Sequence, residues 1–338
     1  MQNQLTAIDL FCGCGGLTTG LIEAGFSVLA SIEIDPKAAA TYRENYPKIN
    51  LIEDDIRNVN IKQLLEKIQI NPGDLDLLAG CPPCQGFSRI RKLNKNRPAM
   101  DERNSLIEEF TRFALELKPK RIMLENVPGL ASHYRFNNFV SKLKKHGYFV
   151  NFKIVDVAEY GVPQRRKRLI LTASIDHEIT LRPPHDRRVT VRDAISHLPL
   201  PGNSGDELHD IPENRSEKVM EIIKNIPKNG GSRSQLPDEL VLECHKQTKG
   251  FYDVYGRMSW DDVAPTITSG CHNPSKGRFL HPIENRTITL REASILQGFP
   301  ENYKFITSHG KESIALMIGN ALPPPFIKAH AEQLAQSI

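Results

Sequence analysis

The amino-acid sequence predicts an α/β fold, in which a mostly parallel sheet with helices on both faces is joined to a smaller, irregular region with short strands. In the first half of the chain, strand-like apolar segments alternate with helix-like segments, as in sheets built from helical crossovers. From about residue 181 to 282, prolines, glycines and scattered charges interrupt every long periodic stretch. The length of 338 residues exceeds what one compact core usually holds, which favours a second, smaller domain.

The alternation of strands and helices can be followed along the chain. Strands are predicted at 5–11, 27–33, 75–79, 121–126, 148–155 and 168–172. Helices are predicted at 17–24, 36–45, 61–68, 105–117, 139–146 and 289–297, with a last helix after the prolines at 323–325. Residues 1–180 plus 286–338 are therefore expected to form one domain, and residues 181–285 a second, β-rich one.

The composition is that of an ordinary folded protein, with 25% charged and 39% hydrophobic residues. A net charge of +4 is a weak indication of a polyanionic partner. No apolar run reaches the length of a membrane span, and no basic segment followed by an apolar one opens the chain. We therefore expect a cytoplasmic protein without a membrane partner.

Six cysteines are present, and in a reducing compartment they are expected to be thiols. Cys12 with Cys14 and Cys81 with Cys84 could supply four zinc ligands. The first pair is separated by a single residue between glycines, and the second pair encloses two prolines, whereas zinc knuckles more often use flexible spacers. No metal is therefore expected.

A glycine-rich loop separates the first strand from the first helix. Gly13, Gly15 and Gly16 would let a ligand approach the backbone and the helix N-terminus. Glu33 ends the next strand, where a carboxylate can accept both ribose hydroxyls. Asp55 follows a further strand-like stretch, between the helices predicted at 36–45 and 61–68, and is expected near the adenine. The last glycine of a dinucleotide fingerprint is missing, which favours a single carboxylate, as in S-adenosylmethionine, over a pyrophosphate. A tight turn without a ligand is the alternative.

Two reactive side chains follow neighbouring predicted strands. Cys84 comes after the strand at 75–79 and two prolines that fix the backbone, and Glu125 ends the strand at 121–126. The carboxyl ends of parallel strands meet at one edge of a sheet, so both groups can face one pocket. Taken singly, Cys84 is more often an inert buried thiol and Glu125 a surface carboxylate.

Together these segments resemble the DNA cytosine-5 methyltransferases of the bacterial modification type. The segments occur in the family's order and cover nearly the whole chain, which makes the joint match far more specific than any single motif. They are the glycine loop, Pro83-Cys84-Gln85, Glu125-Asn126-Val127, Gln164 to Arg168, Arg291 to Pro300 and Ile318 to Pro324. The resemblance implies a Rossmann-like, S-adenosylmethionine-dependent methyltransferase fold, with residues 181–285 as the target-recognition domain.

The resemblance also implies a covalent mechanism on a cytosine swung out of duplex DNA. Cys84 as thiolate would add to C6, Glu125 would hold or protonate N3, and C5 would take the methyl group, which leaves S-adenosylhomocysteine. A base, expected to be water, would remove the C5 proton before Cys84 leaves. Arg166 is expected to favour the thiolate and, with Arg168, to contact the base or a flanking phosphate. The predicted catalytic residues are Cys84, Glu125, Arg166 and Arg168.

Cofactor and DNA contacts complete the expected site. The predicted cofactor residues are Asp9, Phe11, Gly13, Gly15, Gly16, Leu17, Glu33, Ile34, Asp55, Ile56, Pro83, Asn320 and Ala321. A basic segment at 89–97 is expected to close on DNA as a flap, with a solvated loop as the alternative, and loops of the second domain are expected to read a groove. The predicted DNA-binding residues are Gln85, Ser88, Arg89, Arg91, Arg97, Gln164, Arg233, Thr268, Ser269, Lys276 and Arg278.

The expected partner is double-stranded DNA, bound by a monomer, with a companion restriction endonuclease as a further possibility. Three other functions compete with this one. An RNA methyltransferase of the same fold shares two of the motifs, but the Cys-Phe-Thr tripeptide of a tRNA-modifying relative does not occur in residues 181–282. A catalytically idle DNA- or nucleotide-binding module is disfavoured by the joint presence of Cys84, Glu125, Arg166 and Arg168. A nicotinamide dehydrogenase is disfavoured by the incomplete glycine fingerprint.

Overall fold

The computed structural model describes residues 4–83, 105–243 and 252–338. Contacts divide the chain into two units, of which the first comprises residues 1–160, 167–185 and 322–338 and the second residues 161–166 and 186–321. A division by contacts says nothing about which unit binds DNA, so the predicted catalytic and target-recognition domains stay a prediction. No helix among the described residues is long and apolar enough to cross a membrane.

Seven strands of the first unit form one sheet in the order β3-β2-β1-β4-β5-β7-β6. The pairs on the β3 side, up to β4–β5, are parallel, and β7 is antiparallel to both of its neighbours. The predicted α/β fold with a mostly parallel sheet is thus confirmed. The strands are β1 Thr6–Leu10, β2 Ser27–Glu33, β3 Asn50–Glu53, β4 Leu77–Gly80, β5 Arg121–Asn126, β6 Phe149–Asp156 and β7 Lys167–Ser174.

Helices connect the strands of the first unit and make up most of the regular structure of the second. In chain order they are α1 Gly16–Glu23, α2 Pro36–Asn45, α3 Ile61–Ile68, α4 Leu106–Leu117, α5 Tyr134–Lys145, α6 Val191–Ile195, α7 Glu217–Asn225, α8 Leu290–Gln297, α9 Lys311–Asn320 and α10 Pro324–Ala335. In the first unit, α1 packs so closely on α10 that a Cβ added to Gly20 would lie 2.6 Å from the Ile327 Cβ. This helix pair supports the loop that leads into α1.

The second unit corrects one expectation. Its described residues contain no strand, and β-type pairing there is limited to isolated bridges such as Arg257 with Leu280, so the prediction of a β-rich region is wrong for them. Side chains, instead of a strand ladder, satisfy main-chain carbonyls here, including those left over at the C-terminal end of α7. The buried Arg257 guanidinium donates to the carbonyls of Ile223 at 2.7 Å, Ile226 at 3.0 Å and His281 at 2.9 Å.

Candidate active site and cofactor site

The order of strands in the first unit reverses between β1 and β4. From β1 the chain turns to β2 on one side, and β4 later pairs with β1 on the other side. Ligands of open α/β sheets bind at the carboxyl ends of the strands that flank such a reversal. The glycine loop follows β1, and Cys81 follows β4, so the predicted cofactor loop and the proline segment leading to Cys84 leave the sheet at this point.

Positive φ angles shape the loop after β1. Gly13 and Gly15 have φ values of 56° and 103°, which glycine adopts without strain, and Phe11 has a φ of 65°. The N–H of Gly15 donates to the Cys12 carbonyl at 2.9 Å and closes a turn directly before α1. No described side chain caps the N-terminus of α1, which suits the approach of an anionic group to the backbone there.

Glu33, at the end of β2, is fixed by three backbone N–H groups. The Gly13 N–H donates to Oε2 at 2.8 Å, and those of Ile34 and Asp35 donate to Oε1 at 3.0 and 2.7 Å. Burial raises the pKa of Glu33, and these donors counteract part of that effect. The carboxylate is therefore held beside the glycine loop, in the position predicted for contact with a ribose.

Asp9 lies beneath the loop, at the carboxyl end of β1, and is completely buried. Its Oδ2 accepts a hydrogen bond of 2.6 Å from Thr18, whose hydroxyl lies 3.0 Å from that of Tyr42. Among the described residues, Oδ1 has no hydrogen-bond partner. Burial raises the pKa of Asp9 to about 8. A buried acceptor without a partner is costly, so this oxygen suits a donor supplied by a bound ligand.

The other predicted cofactor residues of the first unit lie near these strand ends. Ile34, directly after Glu33, is 63% exposed, an unusual position for a large apolar side chain. Asp55 begins a short 3-10 turn in which Ile56 is buried, and its carboxylate pairs with Arg57 Nη2 at 2.6 Å, which lowers the pKa of Asp55. Pro83 is partly buried behind β4. The contact of these four residues, Ile34, Asp55, Ile56 and Pro83, with a cofactor therefore stays a prediction.

Asn320 and Ala321 belong to the second unit, where Asn320 is exposed at the end of α9 and Ala321 follows it. Their predicted contact with the cofactor stays a prediction. Leu17 is buried in the first turn of α1 and begins the apolar face of that helix.

Glu125 is 1% exposed and close to the end of β5. Because β7 runs antiparallel to β5, with Asn126 opposite Leu169, the start of β7 lies beside the end of β5. This register brings Arg168 Nε to 2.7 Å from Glu125 Oε1 as an ion pair. The Cys81 thiol donates to the other oxygen, Oε2, at 2.9 Å. Two of the predicted catalytic residues, Glu125 and Arg168, are therefore in direct contact.

Sequence reasoning missed two residues of this site. Asn126 Nδ2 donates to the Pro82 carbonyl at 2.9 Å, while its Oδ1 accepts from the Val127 N–H at 2.8 Å, so Asn126 links the end of β5 to the segment before Cys84. The position of an amide side chain beside Glu125 at a strand end was a usable signal. Cys81 entered the sequence analysis only as a possible zinc ligand, and no spacing in the sequence indicates its contact with Glu125.

The predicted nucleophile and flap lie outside the described residues. This holds for Cys84 and for five predicted DNA-binding residues, namely Gln85, Ser88, Arg89, Arg91 and Arg97.

Gln164 and Arg166 are buried in the second unit and connect its loops. Gln164 Oε1 accepts from the Ile267 N–H at 2.9 Å, and its Nε2 donates to Gln297 Oε1 at 2.6 Å. Arg166 donates to the carbonyls of Ile267 at 3.0 Å and Gly319 at 2.8 Å. Both side chains thus hold the backbone before the predicted groove-reading loop, and their roles in catalysis and DNA binding stay predictions.

The remaining predicted DNA-binding residues also lie in the second unit. Ser269 and Lys276 are exposed, and Thr268 is partly exposed and caps a turn, with its hydroxyl accepting from the Gly270 N–H at 3.3 Å. The Arg278 side chain makes its contacts within the protein. It pairs with Asp253 at 3.0 Å and donates to backbone carbonyls, including that of Gly231 at 2.9 Å. Arg233 is partly exposed in a 3-10 turn.

Cys12 and Cys14 are buried thiols within the glycine loop. Burial raises the pKa of both thiols, that of Cys14 to about 12, so neither is poised to become a thiolate. In the part of the chain that the structure describes, no group of three or more His, Cys, Asp or Glu residues is placed to hold a metal ion.

Comparison with known proteins agrees with this arrangement. A family model described as C-5 cytosine-specific DNA methylase matches residues 5–336. The chain is 39% identical over 331 residues to the Type II methylase M.HgiDII of Herpetosiphon aurantiacus, covering 94% of this chain and 91% of that protein. It is 34% identical over 337 residues to the Type II methyltransferase M1.HphI of Haemophilus parahaemolyticus, covering 97% and 86%.

Among solved structures, the fold matches a putative DNA modification methyltransferase encoded within a prophage (E. coli), with a TM-score of 0.71 and 25% identity. The match covers 98% of this chain and 99% of that one. A family model that spans nearly the whole chain, two relatives above 30% identity and a strand reversal flanked by the glycine loop and Cys81 lead to one conclusion. The chain belongs to the C-5 cytosine-specific DNA methylase family and is an enzyme, a DNA (cytosine-5-)-methyltransferase.

Proposed function

We propose that this enzyme methylates C5 of a cytosine in a specific duplex DNA site through a covalent bond between Cys84 and C6, with S-adenosylmethionine as methyl donor. The observation that carries the proposal is the carboxylate of Glu125, held between Arg168 and Cys81 at the end of β5. β5 neighbours β4, whose end leads through Pro82 and Pro83 to Cys84. A nucleophile and an acid on adjacent strand ends fit attack on a ring that must be polarised at N3.

The residues around the glycine loop fit the proposed cofactor. Gly13, Gly15 and Gly16 would approach its amino-acid end, Glu33 would accept from ribose hydroxyls, and the buried Asp9 Oδ1 would gain a donor. When bound, the cofactor supplies an electrophilic methyl group carried on a sulfonium.

The protein's own groups account for the other steps. The Cys84 thiolate forms a bond to C6 while Glu125 supplies a proton or hydrogen bond at N3, which gives C5 the electron density of an enamine. After C5 has gained its methyl group, a base, proposed to be water, removes the C5 proton, the C5–C6 double bond re-forms and the Cys84–C6 bond breaks. Asn126, through its bond to the Pro82 carbonyl, holds the segment that precedes Cys84.

DNA must release the target base for this chemistry, at a cost of about a few kcal/mol. We propose that residues 89–97 close over the displaced base, and that exposed residues of the second unit, such as Ser269 and Lys276, contact DNA. Arg166 is proposed to act by holding the backbone at Ile267 and Gly319. A monomer is proposed as the acting form, and the names of the relatives support a companion restriction endonuclease.

The covalent step can be tested with duplex DNA that carries 5-fluorocytosine. Fluorine replaces the C5 proton, so the last elimination cannot occur and Cys84 stays bonded to C6. We expect a stable protein–DNA adduct whose proteolysis maps the DNA to the peptide containing Cys84, and no adduct with Cys84→Ser. Transfer of methyl groups by Cys84→Ser at a rate near that of the parent protein would falsify the mechanism.

Labelled methyl transfer to duplex DNA and to tRNA, measured side by side, distinguishes the two substrate classes.

A further inference from the structure

A thiol that the proposed mechanism does not use shares the Glu125 carboxylate with Arg168. Cys81 Sγ donates to Oε2 at 2.9 Å, while Arg168 Nε lies 2.7 Å from Oε1. Glu125 is 1% exposed, so water has little access to either oxygen. Before any base arrives, Oε2 therefore accepts a hydrogen bond from the thiol, and Oε1 lies at ion-pair distance from Arg168 without a hydrogen bond of its own among the described residues.

The two partners differ in how readily they can be replaced. Arg168 is a cation, and its ion pair with a carboxylate gains strength in buried surroundings. The thiol of Cys81 is neutral and a weak donor, so its hydrogen bond is the easier one to exchange. Once Glu125 has given its proton to N3, the cytosine presents two adjacent donors, at N3 and at the 4-amino group, and binding both by the resulting carboxylate requires that one oxygen change partner.

We propose, on the basis of the function proposed above, that Cys81 is a positioning residue whose thiol holds Glu125 Oε2 until a donor group of the displaced cytosine takes its place. Arg168 keeps Oε1 throughout. Cys81 forms no covalent bond in this scheme and undergoes no redox change. Its role is to keep the carboxyl group of Glu125 oriented in the free enzyme by a contact that is lost easily.

The test compares Cys81→Ala, which removes the donor, with Cys81→Ser, which keeps an O–H donor. In Cys81→Ala, kcat/KM for DNA methylation should fall about fivefold, because the carboxyl group of Glu125 is no longer oriented before the base arrives. The proposed step needs a proton on Glu125, and a carboxylate that loses a donor binds a proton more readily, so the alkaline limb of the pH profile of kcat/KM should move to higher pH by about half a unit. Cys81→Ser should restore both quantities to within about twofold of the parent protein.

Thermal unfolding of each variant shows whether it is folded, and Cys81→Gly is a second variant without a donor should Cys81→Ala not fold. An unshifted alkaline limb in the folded donor-free variant overturns the inference. So does a loss that Cys81→Ser shares equally, because that marks packing at Cys81 and not its hydrogen bond. Glu125→Gln separates the two proposals: full activity of Glu125→Gln refutes the proposed function, whereas an inactive Glu125→Gln beside an unaltered Cys81→Ala refutes only the role of Cys81.

Discussion

The Gly13 N–H donates to Glu33 Oε2 at 2.8 Å, which joins the loop after β1 to the end of β2. One carboxylate thus both orders the glycine loop and faces the site predicted for a ribose. If Glu33 contacts the ribose as proposed, a substitution of Glu33 affects the site twice, by removing that contact and by releasing the loop.

We expect Glu33→Gln to weaken binding of S-adenosylhomocysteine by about 10- to 100-fold, because a charge-assisted hydrogen bond contributes roughly 1.5–3 kcal/mol. Isothermal titration calorimetry measures this without catalysis. Glu23→Gln, at the exposed end of α1, is the matched control and should bind as the parent protein does. Equal affinity of Glu33→Gln and the control would exclude Glu33 from the cofactor site.

Arg168→Lys tests whether the ion pair at Glu125 needs a guanidinium. Lysine keeps the charge but reaches the carboxylate as a mobile point charge, so the orientation of Glu125 should be lost. Single-turnover methylation should slow by about 10²-fold, a typical loss for a misplaced acid or base. Arg188→Lys is the control for arginine chemistry elsewhere, and comparable rates of the two variants would contradict the role of Arg168.

Asp9 should make stability depend on pH. Burial raises its pKa from 3.8 to about 8, so between these values the folded state keeps a proton that the unfolded state has lost. The stabilisation by Asp9 is complete below the lower value and disappears as pH rises through the higher one. Asparagine does not titrate, so the free energy of unfolding of Asp9→Asn should fall less than that of the parent protein between about pH 5 and pH 8. Urea unfolding at several pH values measures both. Parallel stability curves for the two proteins would show that Asp9 ionises normally in the fold.

The contact of α1 with α10 predicts a steric effect. A Cβ at position 20 would lie 2.6 Å from both the Ile327 Cβ and the Pro324 carbonyl oxygen. Gly20→Ala should lower the free energy of unfolding by about 1–3 kcal/mol, as overpacking usually does. Gly73→Ala has no neighbouring atom within 4 Å but a φ of +99°, so it reports backbone strain without a clash. A Gly20→Ala protein as stable as the parent would mean that α10 moves away at little cost.

Regular elements with clear end signals were predictable from the sequence. The bounds of β2, α2, α3 and β5 are those predicted, because apolar periodicity and residues such as Pro36 mark them. α5 begins at Tyr134 and not at Phe139, because the cap is the ring nitrogen of His133, which accepts from the Arg135 N–H at 3.3 Å, and histidine is not a usual cap signal.

The site was predictable to the extent that strand ends determine it. Glu125 was placed correctly beside β4 because adjacent parallel strands end at one edge. The contacts of Cys81 and Asn126 depend on how the chain turns after a strand, and the burial of Arg166 depends on loops distant in the sequence. Side-chain contacts of this kind have no periodicity, so no sequence pattern indicates them.

Arg257 binds the carbonyls of Ile223, Ile226, His281 and Glu284, and so specifies where two stretches of main chain lie, 223–226 and 281–284, without specifying their side chains. The path of the main chain is therefore determined separately from the identity of the exposed side chains. Exposed residues on the same stretches can be exchanged while the main chain keeps its path. If the second unit reads DNA as proposed, a new target sequence can be acquired by grafting surface residues onto an unaltered arginine-centred frame.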